Sequence, residues 1–412
     1  MTHIGIIGAG VAGLHLGLFL QQRGVEATIY TEKTPGEQFA SRLPALVGRS
    51  GHTRERERLL GVNHWDAGSN EFGTMNIVLA GEQPLGFAGN LERRFIAVDM
   101  RIYFARLLED FVARGGNVVF RDVHAADIDA ISEQHDLLVV ATGRGGLNAL
   151  FPRLAEHSPF DAPQRYLCTG LYRGIAPNPD NASAIFVPEQ GEVFEFPIYT
   201  FEPGITGLGL EAVPGSALEP IARMNYDADP AAFNAAMIEL LRVHAPAVHA
   251  RVDPATFGLT RSLDLLQGGV TPSVRSGHIR LANGKYALAL GDVRAINDPI
   301  TGQGANSASA TAWMLGAAIC ASERFDEAFC TGIEQIIWDY IGPIAQWSNA
   351  MLQPPAPHVV EFMVAAAQFP PVAETFVRMF EQPVRAWEML SCPNTTGAFL
   401  KGHGWKGMPV AA

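Results

Sequence analysis

Near its start the chain carries Gly8, Gly10 and Gly13, set between the apolar run His3-Ile4-Gly5-Ile6-Ile7 and the equally apolar stretch Leu14 to Leu20. Glycine in the first place permits a tight turn, in the second lets a phosphate approach the backbone, and in the third lets a helix sit close to its strand. The N–H groups of Val11 and Ala12 at that helix start would then face a pyrophosphate. Glu32 follows a second strand read at Ala27–Tyr30, close to where an acidic residue holds ribose hydroxyls, although Tyr30 and Thr31 take the strand end itself. The spacing reads as a dinucleotide site, and the alternative is a glycine-rich turn in an ordinary α/β protein.

This turn does not separate NAD(P) from FAD, but distant segments bear on the choice. A strand ending at Thr142-Gly143 would return to the same ligand, and so would one ending at Gly291-Asp292. Pro299-Ile300-Thr301-Gly302-Gln303-Gly304-Ala305-Asn306 opens a further helix. Asp292 is placed to accept a hydrogen bond from a ribityl hydroxyl. Backbone N–H groups at Gly304, Ala305 and Asn306 could face the N1–C2 carbonyl edge of a flavin, which turns negative on reduction. A nicotinamide dehydrogenase has no need of that second anion-stabilising helix start.

The elements that must hold these residues are legible in outline. A helical pattern runs from near Val98 to about Ala113, Gly115-Gly116 stops it, and Val118-Val119-Phe120 reads as a strand. Asp136 to Gly143 is apolar on both faces, as in a covered parallel sheet. From Arg165 to Val274 short strands separated by Pro and Gly predict an antiparallel sheet, interrupted by a helix from Pro230 to about Val243. The sheet pattern of the first domain returns at Tyr286–Asp292, with a helix at Ala305–Cys320. The expected fold is α/β: a Rossmann-like FAD-binding domain at 1–164, with substrate-pocket loops at 43–95, completed by 275–325. A mostly antiparallel substrate-binding sheet is inserted at 165–274, and a helical region follows at 326–412.

Among 412 residues, 48% are hydrophobic and 17% charged, which excludes a disordered or coiled-coil chain. Forty-two acidic against thirty basic residues give a net charge of −12, an unfavourable surface for nucleic acid or anionic membrane. There is no apolar run of membrane-spanning length and no signal-peptide pattern, which points to a cytoplasmic protein. Cys168, Cys320, Cys330 and Cys392 form no ligand cluster, so no metal is expected.

The joint order of these motifs resembles the FAD-dependent aromatic hydroxylase superfamily, and more closely the styrene and indole monooxygenase family. The resemblance rests on GAGVAGLHLGLFL at 8–20, Arg42-Leu43, Val62-Asn63-His64-Trp65, Glu71-Phe72-Gly73, Ala97-Val98-Asp99 and the strand at 136–143. It rests further on Ser262-Leu263-Asp264-Leu265-Leu266-Gln267-Gly268-Gly269-Val270, Gly291-Asp292, Asp298-Pro299 and Gly302–Asn306. It implies a two-component system in which a separate NADH-dependent flavin reductase supplies reduced FAD. With O₂ as cosubstrate, a flavin C4a-hydroperoxide would then epoxidise a vinyl-aromatic or indole-type alkene. It also implies a homodimer, no metal, and Arg42 and Arg101 near the flavin or its phosphates, with Leu43 beside them.

No acid–base dyad is needed for such an oxygen transfer, so the candidate residues are those that activate the flavin or wall an apolar pocket: Arg42, Ala45, Leu46, Ile77, Phe194, Phe196 and Pro299. For the pocket residues ordinary core packing is the competing reading, and His15 reads as packing or helix surface. The chain departs from the styrene-type pattern: Ala45 replaces an asparagine, Arg49 a histidine, and Thr74 and Ile77 aromatic and histidine residues. The preferred alkene is therefore open. A single-component NAD(P)H-dependent aromatic hydroxylase, a flavin reductase or NAD(P)H dehydrogenase, and a non-catalytic FAD-binding protein are the rival readings. A halogenase is disfavoured, because the sequence shows neither the characteristic tryptophan-rich segment nor an appropriately placed lysine.

Overall fold

The computed structural model describes residues 2–68, 70–143, 145–178 and 180–408. Its first layer is a six-stranded sheet with the spatial order His278–Arg280, Tyr286–Ala289, Leu137–Val140, His3–Ile7, Glu26–Thr31 and Asn117–Phe120. The last five of these run parallel, and only His278–Arg280 is antiparallel to its neighbour. The helices Val11–Gln22, Met100–Ala113 and Gly304–Cys320 share one continuous apolar core with this sheet. Leu14, Leu16, Leu18 and Leu20 are all fully buried there, as an apolar-all-round helix requires.

The second sheet has nine strands and joins chain segments that lie far apart in sequence. Tyr166–Arg173, Asp180–Val187, Gly191–Tyr199 and Thr206–Ala212 fall within the inserted region, as expected. Glu71–Leu79 and Leu85–Val98 form a long hairpin in the same sheet, with Gly48–Arg49 at its edge. Glu71–Leu79 also runs parallel to Asp180–Val187. The stretch 43–95, expected to carry some substrate-pocket loops of the first domain, thus contributes three strands to the second sheet as well as the helix Gly51–Leu60. Its strands escape notice because alternation in the hairpin is broken by Gly86, Gly89 and the polar Glu92-Arg93-Arg94.

One face of this sheet packs on the helix Pro230–His244 through Phe233, Met237, Leu240 and Leu241. The other face meets the carboxy-terminal helices, where Ile77, Ala182 and Ala184 share a core with Phe362, Val372 and Phe376. Val359 to Phe369 is accordingly spent within the chain: Phe362, Met363, Ala365 and Ala366 are buried against the sheet and its neighbouring helices. Pro370-Pro371 opens the helix Pro370–Arg378 after the break that follows Pro357–Ala366, since proline is tolerated where the first N–H groups have no partner.

Candidate functional site

The glycine turn is built by exclusion. A Cβ on Gly13 would lie 2.0 Å from the Gly8 carbonyl oxygen, and one on Gly8 would lie 2.3 Å from Ala141 O. Gly8 also holds φ +113°, a conformation that disfavours side chains. Above Gly10 there is space: a Cβ there meets nothing nearer than Ala141 O at 4.0 Å. Gly143, Gly302 and Gly304 likewise have nothing within 4 Å of such an atom. The Gly291–Val293 turn lies between two helices, with a Cβ on Gly291 falling 3.1 Å from Ala12 and 3.8 Å from Ala308.

Helix capping marks the same two places. Of the described helices with ten or more residues that do not begin with proline, Ser50, Asp99 and Asp326 cap three through their side chains. The other two begin at Gly10 and Gln303, with no side-chain cap and no acidic residue in the first turn. Their N–H groups are left for a ligand, and the helix dipole makes both starts favourable for negative charge. Glu32 stands one residue beyond the Glu26–Thr31 strand, exposed and 3.5 Å from Lys33.

Asn306 has a different task from the one its motif suggests. Its Oδ1 accepts from Ser50 N (2.9 Å) and Thr53 Oγ1 (2.8 Å), while its Nδ2 donates to Gly48 O (3.0 Å) and Gly302 O (2.9 Å). The side chain is a clamp between the Gly302–Gly304 turn and the edge strand Gly48–Arg49, so only its backbone remains available to a ligand. The turn is pinned from the tail as well: Gln303 Nε2 donates to Phe380 O at 3.0 Å, and Thr301 Oγ1 meets Ser348 Oγ at 2.7 Å.

The two arginines separate. Arg42 is exposed and donates through Nη1 to Ser262 O (2.9 Å) and Leu265 O (3.0 Å), while Leu43 N donates to Leu263 O (2.8 Å). Arg101 is fully buried. It gives Nε and Nη2 to Asp99 at 2.9 and 2.6 Å, and Nη1 to Asp264 Oδ1 at 2.6 Å and Ser41 O at 3.3 Å. Asp99 and Asp264 thus hold the buried Arg101 with two carboxylates, as a buried guanidinium requires.

An apolar wall stands beyond the turn. Phe194 and Phe196 are half-buried on the face that carries Ile77, and Phe196 lies 6.4 Å from Phe72 between ring centroids. Leu46 and Phe196 crowd Gly207, where a Cβ would lie 2.9 Å from the ring and 3.2 Å from Leu46. Ala45 is half-buried against the first core. Ile77 is fully buried within the core shared with the tail helices, so packing accounts for it. Phe72 and Phe95, which border Gly48, join this wall, and the broken alternation of their hairpin leaves no local sequence signal for them.

Arg49 and His15 lie in the first domain's interior. Arg49 sits between the Trp65 and Tyr103 rings, 4.7 and 4.5 Å from their centroids, and pairs with Glu57 Oε1 at 2.7 Å. Glu57 also accepts from Trp65 Nε1 and Tyr103 OH, each at 2.9 Å. His15 Nε2 lies 2.7 Å from Tyr103 OH, and burial pushes its pKa down to about 3. Among the described residues no cluster suited to a metal occurs, and no helix is long and apolar enough to cross a membrane.

A covered parallel sheet with a glycine turn, a second uncapped helix start and an antiparallel sheet bearing an aromatic wall define the FAD-dependent monooxygenase fold. A flavoprotein/dehydrogenase from Cytophaga hutchinsonii shares that fold, with a TM-score of 0.68 at 14% identity over 98% of this chain and 99% of that one. The family model described as "Styrene monooxygenase A putative substrate binding domain" matches residues 143–251. Styrene monooxygenase StyA of Pseudomonas fluorescens is 43% identical over 407 residues, 97% of this chain and 98% of the relative. Its counterpart from a Pseudomonas species is 42% identical over 96% of both. The chain belongs to the styrene monooxygenase StyA family, whose members are FAD-dependent monooxygenases. The open space over Gly10, Gly143, Gly302 and Gly304, with two uncapped helix starts, fits FAD.

Proposed function

We propose that this chain is the oxygenase component of a two-component system, taking reduced FAD from a separate NADH-dependent flavin reductase and epoxidising a vinyl-aromatic or indole-type alkene with O₂. Kinship over nearly the whole chain supports the reading. The observation that carries it is the pair of uncapped helix starts, the second tied through Asn306 to Gly48, which the Phe72 ring borders and so joins to the wall of Phe196, Leu46 and Phe194.

In this reading the N–H groups of Val11 and Ala12 hold the pyrophosphate, with Gly8, Gly10 and Gly13 giving it room. Glu32 holds the adenosine ribose, and Asp292, Thr142 and Gly143 lie along the ribityl chain. Pro299, Gly302, Gly304, Ala305 and the Asn306 backbone border the ring's carbonyl edge, where N–H groups favour the anionic, reduced state. Arg42 adds positive charge at the rim, beside Leu43. When bound, reduced FAD supplies the activation of O₂ and the electrophilic oxygen atom.

The remaining work belongs to the apolar wall. It excludes water and orients the double bond, which requires no side-chain base, because an alkene has no proton to lose in forming an epoxide. In this reading reduced FAD is a cosubstrate. The test is NADH oxidation with styrene, indole or a phenol. The purified chain alone should consume no NADH, and adding a flavin reductase and FAD should start product formation. NADH consumption by the chain alone, stimulated by a phenol, would identify a single-component hydroxylase instead.

A further inference from the structure

Just before the flavin-facing turn, three carboxylates and one guanidinium are packed into the seam between the sheets. Glu192 and Glu211 face each other on neighbouring strands, Arg165 precedes the strand Tyr166–Arg173, and Asp298 leads into Pro299. All four are buried, with Asp298 1% and Glu211 4% exposed. Arg165 is spent on Glu192, donating Nε to Oε2 at 2.7 Å and Nη2 to Oε1 at 2.9 Å, with Nη1 turned to Gln164 O. Asp298 uses Oδ1 to cap the turn, accepting from Ile300 N at 3.1 Å. Two buried oxygens then have no donor: Oδ2 of Asp298 and Oε2 of Glu211. These two side chains interact with each other, and two ionised carboxylates cannot bond, because both are acceptors.

We propose that Glu211 and Asp298 share one proton at neutral pH, and that the resulting acid–acid hydrogen bond fixes the Asp298–Gly302 turn to the substrate sheet. Glu211 is the donor, because Asp298 is already committed as an acceptor at Ile300 N. The charge count agrees: with one guanidinium for three carboxylates, a single added proton leaves the buried seam at −1 instead of −2. Burial, followed by the neighbouring Asp298 and Glu192 charges, raises Glu211 well above the usual carboxylate range. Burial likewise pushes Asp298 up to about 6, against the lowering effects of Ile300 N and Arg165. The two titrate as a unit, so the proton belongs to the pair. Glu211 is a positioning residue: it acts on the flavin only through the turn, and that last step rests on the flavin reading above.

The first test needs no flavin. Infrared spectra of the ligand-free protein at pH 7 should show the carbonyl stretch of a protonated carboxylic acid that disappears in E211Q. A raised carboxyl pKa means that the unfolded chain releases a proton the folded chain keeps. The pair's contribution to thermal stability, read as the difference between wild type and E211Q, should therefore fall as pH rises from about 4.5 through the pair's own titration. In E211Q and in D298N the amide donates in place of the proton, and this part of the pH slope should be lost. Absence of the band, or an unchanged slope in both variants, overturns the shared proton. The second test is anaerobic binding of reduced FAD: E211A should weaken it about tenfold and E211Q should restore it, since an amide rebuilds the lost bond. Equal binding by E211A and wild type overturns the positioning role. Failure of the wild type to bind FAD at all would refute the flavin reading and leave the shared proton standing on the first test.

Discussion

Replacing Asn306 with alanine removes a clamp that joins the Gly302–Gly304 turn to the edge strand. Four hydrogen bonds are lost, to Ser50 N, Thr53 Oγ1, Gly48 O and Gly302 O, and the side chain that made them is 4% exposed. At about 1 kcal/mol for each buried hydrogen bond, N306A should cost about 4 kcal/mol. An unfolding entropy of about 2.1 cal/mol/K per residue over 412 residues makes that a fall of about 5 °C in Tm. Flavin affinity should fall too, because the freed turn carries the N–H groups assigned to the ring's carbonyl edge. N306D separates the two effects. It keeps the acceptor for Ser50 N and Thr53 but turns a negative oxygen toward Gly48 O and Gly302 O. Reduced FAD should accordingly lose more affinity than oxidised FAD. Scanning calorimetry on the ligand-free variants and anaerobic fluorescence titration with both flavin states measure these quantities. The reasoning is refuted if N306A melts within about 1 °C of wild type and binds reduced FAD as tightly.

Gly10 and Gly13 should respond oppositely. G13A collides with Gly8 O and should destabilise the ligand-free protein, whereas G10A has room, so its melting temperature should hold while FAD binding weakens. Truncating the wall in F196A should lower kcat/KM for styrene about tenfold, the scale of a few lost apolar contacts, and favour bulkier alkenes; competition kinetics measures the ratio. Burial of neutral His15, with its pKa near 3 against 6.5 when unfolded, makes the unfolded chain the better proton binder between those values. The His15 contribution to stability, read as the difference between wild type and H15N, should therefore drop as pH falls through that window, by up to about 1.4 kcal/mol per pH unit.

The first sheet was readable because its signals are local. His3–Ile7 and Leu137–Val140 are short runs buried on both faces, and Gly8, Gly10 and Gly13 leave little choice of turn. The second sheet is harder, since Glu71–Leu79 pairs with Asp180–Val187 about a hundred residues away, and no local pattern encodes that register. The same holds for side-chain tasks. The Gly302–Asn306 motif pointed to backbone N–H groups, whereas the clamp made by the Asn306 side chain depends on Ser50 and Gly48, which arrive from about 250 residues away. Arg101, expected near the FAD phosphates, is held by Asp99 and Asp264, and no local pattern announces the second of these. Charge partners brought in by tertiary packing decide such cases.

Product formation from chemically reduced FAD, air and purified protein, without nicotinamide, tests the central claim most directly. Styrene and indole are offered separately, with ¹⁸O₂ as tracer. The account predicts styrene oxide, or indigo arising from indole, carrying the label and scaling with reduced FAD. Hydrogen peroxide as the sole product from both substrates would contradict it.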